Sequence, residues 1–271
     1  MSNKEMLEIS KEVAEEISKD VYDDVISPVA IPTGKTLGLL PRAIKAALLP
    51  LEKWILQKEY NISEVQRLLE KKLKNIAPDH IESPAPHIAV PAMQYISYCM
   101  DNEELRNMYA NLLASSMQNN IKDDAHPAYL EIIKQLCPDE AKILKYLLVH
   151  NTIPIIGIKY TFQNGKAGLQ LLGFCTVAEM ANCDFPHNGD QYFDNLIRLG
   201  LIRESNNPWF FNQDHYELLL NDPRVQEWYD FYKKDSSFAT VEYVKYVYEI
   251  TAFCDGFFNI CVDDMNYDNK E

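Results

Sequence analysis

Carboxylates, histidines and one lysine-bearing loop are the residues of this chain that could do chemistry. His80, Glu82 and His87 stand close enough to share a cation, but no further ligand is indicated, so they read as polar residues of a proline-rich stretch. His126 follows Asp123 and Asp124, and an acidic turn before Pro127 accounts for it. Pro32-Thr33-Gly34-Lys35-Thr36 imitates a phosphate-binding loop, yet the first glycine is missing and no strand precedes it. The paired acids Asp139-Glu140 and Asp263-Asp264 fall at a helix start and in a tail, where solvation explains them. Cysteines 99, 137, 175, 183, 254 and 261 sit among apolar neighbours with no C-x-x-C pair, and read as reduced core residues. There is no G-x-S-x-G and no H-E-x-x-H. The expectation is a protein without catalytic residues, cofactor or metal.

Composition sets wider bounds. With 271 residues, 47% of them hydrophobic, and only 9 Gly and 14 Pro, the chain is globular and long enough for a large core or two domains. A net charge of −14 disfavours general affinity for nucleic acid or anionic membranes. That charge is uneven: residues 29–78 carry nine Lys/Arg against four Asp/Glu, a balance of +5. The N-terminus is too charged for a signal peptide, and no apolar run reaches the eighteen or so residues of a membrane span. A cytoplasmic location is expected.

The elements come in the following order. Residues 4–26 predict a helix with Met6, Ile9, Val13, Ile17, Val21 and Val25 in a stripe. In 33–57, Leu37, Leu40, Ile44, Leu48, Leu51 and Ile55 share one face, with Arg42, Lys45 and Lys53 largely off it. Such a segment either buries its stripe in the protein's own core or lies as a cationic helix in a membrane interface, on the inner face of the membrane. Asn61 with Glu64 opens a helix running to about Ile76. Residues 78–92, rich in proline and without helical period, predict a linker. Between 101 and 148 three helices follow: Asp101 with Glu104 caps the first, Pro127 starts the second, and Asp139 caps the third.

The same stretch carries a resemblance. LRNMYANLLASSM, then the His126-Pro127 pair and EIIKQLCPDEAKIL, resemble the central signature of the abortive infection alpha (Abi-alpha) family of bacterial proteins. PLEKWIL at 50–56 and ITAFCDGFFNICV at 250–262 fit the family's outline. The resemblance implies a role in defence against phage and brings no catalytic residues.

The C-terminal half changes character. Two β-rich runs flank Asn164-Gly165, a hairpin signal. Thr176 caps a short helix, NGDQYFDNLIRLG makes another, LIRES a strand, Asn206-Asn207-Pro208 a turn, and WFFN a return. Residues 214–235 read as helical, 240–251 as a strand, and AFCDGFFNICV as a closing helix. Helix, strand, helix, helix, strand, strand is the order of a winged helix. The fold expected is mainly α with a small β component. It comprises N-terminal amphipathic helices (1–77), a linker (78–92), a central helical region (93–138), a winged-helix-like domain with a β-hairpin (139–262) and an acidic tail (263–271).

A DNA-reading winged helix needs phosphate-neutralising cations. The predicted recognition helix offers Asp190, Asp194 and Arg198, with Arg203 on the wing, and residues 139–262 carry ten basic against sixteen acidic groups. Nucleic acid is therefore not the expected partner. The candidate interaction residues are Arg42, Lys45, Lys53, Arg198 and Arg203. The reading favoured is phage defence by contact with a protein partner or phage component. The alternatives are a membrane-active effector using 33–57 and a DNA-binding regulator. Oligomeric state is not encoded.

Overall fold

A computed structural model describes residues 39–48, 62–206 and 213–263. Over these the protein is mainly helical, with one four-stranded antiparallel sheet. The expectations on 4–26, Lys53, the return strand at WFFN and the tail beyond Asp263 lie outside the described residues.

Helix α1 (Leu39–Leu48) packs on α2 (Ile62–Lys72). Ile44 is buried in the main core, as are Val65, Leu68, Leu69 and Leu73, while Arg42 and Lys45 are exposed. Pro41 costs α1 no hydrogen bond because it lies in the first turn, where N–H groups have no helical acceptor.

The linker reading of 78–92 is corrected from Pro86 onward. Helix α3 (Pro86–Tyr98) starts with Pro86 in its first turn, contains Pro91, and buries Ile88, Ala89, Ala92, Met93 and Ile96. Those positions are one helical face, and the proline count hid them.

Helix α4 (Glu103–Ser116) is the central element, touching α2, α3 and the helices that follow. Every residue from Met108 to Gln118 is buried. Its cap is Asn102, whose side chain accepts from the Leu105 N–H at 2.8 Å, and not Asp101. Helix α5 (Pro127–Ile133) is capped by His126, whose Nδ1 accepts from the Ala128 N–H. Helix α6 (Pro138–His150) is capped by Cys137 together with Glu140, so the expected cap at Asp139 is also corrected. With Pro138 in the first helical position, the cap falls one residue before the proline.

The sheet contains β1 (Thr152–Phe162), β2 (Ala167–Phe174), β3 (Ile202–Ser205) and β4 (Phe238–Ile250), in the order β2-β1-β4-β3. β1 and β2 form the hairpin predicted at Asn164-Gly165, with Gly165 at φ +80°. Two helices, α7 (Val177–Met180) and α8 (Gly189–Arg198), join β2 to β3. Gly200, at φ +73°, ends α8 and turns the chain into β3. Two more, α9 (Gln213–Leu220) and α10 (Pro223–Lys234), stand between β3 and β4.

Alternation along β1 makes the sheet a middle layer. Ile153 and Ile155 join the main core, which runs from Ile44 to Val262, while Ile156 joins Tyr216, Leu219 and Val225 of α9 and α10 on the opposite face. The described residues close with α11 (Ala252–Phe257), which runs directly into a π-helical turn (Phe258–Val262) against α4.

Candidate functional site

The carboxylates of Asp139 and Glu140 are not solvated. They are 3% and 4% exposed, and the expectation from sequence is overturned because α8 folds over the start of α6. Asp139 Oδ1 accepts from the Asp184 N–H (2.8 Å) and Oδ2 from the Phe185 N–H (2.9 Å) and the Tyr192 hydroxyl (2.9 Å), with Lys142 Nζ at 3.3 Å from Oδ1. Burial alone would raise its pKa. The backbone donors of Asp184 and Phe185, then Tyr192 and Lys142, outweigh burial and hold the carboxyl below its usual range. Glu140 accepts from the Cys137 N–H through Oε2 and from Asn195 Nδ2 through Oε1. Both oxygens of each acid are occupied. The pair fastens α6 to α8.

The polar residues of the central signature are likewise structural. Asn111 is 1% exposed and donates through Nδ2 to the carbonyls of Cys261 (3.1 Å) and Asp263 (3.3 Å). Ser115 Oγ donates to the carbonyl of Ile260 at 3.2 Å. A π turn shifts its carbonyls out of the ordinary helical register. The two side chains of α4 supply donors to them, which a purely apolar helix face could not do.

The predicted interaction residues do not converge. Arg42 and Lys45 are exposed on α1. Arg198 bonds Asn195 Oδ1 and, at 2.9 Å, Gln135 Oε1, so it ties the end of α8 to the end of α5. Arg203 pairs across β3 and β4 with Glu249 at 3.2 Å. His80 meets Asn119, and His126 packs its ring against Tyr129 and Phe253. Among the described residues, no group of three or more His, Cys, Asp or Glu could hold a metal ion.

What sequence reasoning missed lies between α8 and α10. A cleft of about 270 Å³ opens there, walled by Leu171, Phe174, Phe193 and Trp228. Arg224 on its wall bonds Asp222 and Glu179 (2.7 Å to the latter) and lies 4.8 Å from the Phe174 ring. Cys175 also lines the cleft, but burial pushes its thiol up to about 12, so it offers no thiolate nucleophile near neutral pH. Trp228 on its wall is 39% exposed, and Phe231, whose ring stands 6.0 Å from the indole, is 59% exposed. A signal was present in EWYDFY, where aromatics recur at intervals too short to share one buried helix face.

These features define a mainly helical protein with an antiparallel sheet, whose buried acids and signature polar groups hold elements together. The chain matches the family model "Abortive infection alpha" over residues 57–261. It belongs to the abortive infection alpha family, which ties it to defence against phage. No curated protein matches it. Among solved structures it is similar to an uncharacterized protein from the hydrocarbon-degrading marine bacterium Alcanivorax borkumensis SK2, at 14% identity and a TM-score of 0.34, over 49% of this chain and 90% of that one.

Proposed function

We propose that the chain aborts phage infection through contact with a protein, without catalysing a reaction. One contrast carries this reading: the carboxylates of Asp139 and Glu140 have every oxygen bonded, whereas Trp228 and Phe231 of α10 reach solvent. Exposed aromatics beside a cleft are what interfaces use as anchors. In this reading α6, β1, α7, α8, β3 and β4 form a winged-helix plan, which the pairing of β4 with both β1 and β3 supports. The helix in the recognition position is α8, and its Arg198 is already engaged by Gln135, which favours protein docking over duplex binding.

Phage plating and culture survival at low and high phage input, with wild type and Trp228→Ala/Phe231→Ala, test the proposal. Wild type is expected to protect at low input and to let the culture collapse at high input. The double variant should lose protection while its circular dichroism stays native. Full protection by the folded double variant sinks the proposal.

A further inference from the structure

We infer that the cleft between α8 and α10 receives a cationic side chain, arginine or lysine, presented by the partner protein. This rests on the reading of the chain as a protein-contact module and names the chemistry of what it contacts. Five ionisable groups border the cleft besides the Cys175 thiol: Glu179, His187, Asp190, Arg224 and Glu227. Arg224 is consumed from both sides, since Nη1 bonds Glu179 while Nε and Nη2 bond Asp222. One guanidinium shared between Glu179 and Asp222 leaves that trio with net negative charge. Asp190 and Glu227 hold no ion pair among the described residues, so two acids remain uncommitted against His187, whose ring stands edge-on to Phe185.

Trp228 completes the site. Its indole lines the cleft and stays partly open to solvent. An aromatic face beside carboxylates attracts a guanidinium or ammonium through the ring quadrupole as well as by charge. The volume is that of a long side chain rather than a folded element, and the apolar walls at Leu171 and Phe174 suit the methylene stem that arginine and lysine share. Charge complementarity selects the occupant: residues 139–262 carry sixteen acidic against ten basic groups, so a basic segment is drawn to this half while acidic ones are repelled.

The probes are four capped Gly-Ser peptides of one length, differing in a single central Arg, Lys, Leu or Glu. Binding is read on the full chain from the Trp228 indole ¹H–¹⁵N cross-peak, assigned with Trp228→Phe. The Arg and Lys peptides should shift that peak saturably, and the Leu and Glu peptides should not. Asp190→Asn/Glu227→Gln should weaken the Arg peptide by about tenfold, as should raising salt several-fold above the Debye regime of dilute buffer. Equal binding of the Leu peptide, or an unmoved Trp228 peak with every peptide, overturns the inference. So does salt-sensitive self-association lost in the Asp190/Glu227 variant, since the cation would then come from a second copy. Loss of phage protection in Trp228→Ala/Phe231→Ala with no cationic preference would fell this inference and leave the contact reading standing.

Discussion

On one flank of α8, Asp139 and Glu140 are buried and bonded at every oxygen; on the other, Asp190 and Glu227 line a cleft and hold no ion pair among the described residues. The side chains are of the same kind, and the difference is what folds over them. Tyr192 and Asn195 bring polar hydrogens to the first pair. The second pair meets indole and open space. A carboxylate surrounded by donors is a fastener, because desolvation is offset by several charge-assisted bonds. A carboxylate on an apolar rim has charge to spare for a partner. The molecule bonds the first pair internally and leaves the second exposed.

The comparison breaks first at Asp139. Asp139→Asn removes a charge that several donors have been folded around, and should cost about 3 kcal/mol, read as a fall in the urea midpoint. Its folded pKa is depressed, so the stability it contributes is present above the ordinary carboxylate range and is lost as pH falls through the folded value. Wild type should therefore lose stability on acidification below about pH 4, and Asp139→Asn should flatten that part of the profile. Equal acid sensitivity in both proteins would remove Asp139 from its role as a fastener.

Packing between α11 and α5 gives the next largest effect. A Cβ on Gly256 would stand 2.5 Å from the Tyr129 hydroxyl. Gly256→Ala should destabilise by about 1–3 kcal/mol, and adding Tyr129→Phe should return part of that loss. Strict additivity of the two changes would show that the hydroxyl is not what the methyl meets. The smallest effect belongs to α1. Arg42→Glu/Lys45→Glu changes two exposed side chains and should shift stability by no more than about 0.5 kcal/mol, with phage protection intact. Loss of protection without loss of fold would favour the membrane-active alternative.

Much of this architecture was legible in the residues. The hairpin at Asn164-Gly165 and the run YFDNLIRLGLI announce β1, β2, α8 and β3 because turn glycines and amphipathic period are local signals. Helix α3 is masked in the sequence by its prolines, although its apolar residues at 88, 89, 92, 93 and 96 have helical spacing. The fate of Asp139 could not be read locally, since its donors come from positions 184, 185 and 192. Arg198 and Arg203 look alike as surface cations in the sequence, yet each finds an intramolecular partner far along the chain, at Gln135 and Glu249. The cleft was invisible for the same reason: its walls come from β2, α7, α8 and α10, and no single stretch contains enough of it to be recognised.

The bonds from Asn111 and Ser115 to the π turn also bear on how the protein is made. Their acceptors lie 145 to 152 positions downstream, so the central helix leaves the ribosome long before the carbonyls that complete it. During that interval the two polar side chains have only water or passing backbone to bond, and the helical body must wait in an unfinished form. The native contacts of Asn111 and Ser115 can therefore form only after residues 260–263 have been made. A chain that stops before the π turn leaves the buried donors of its own central helix without these acceptors.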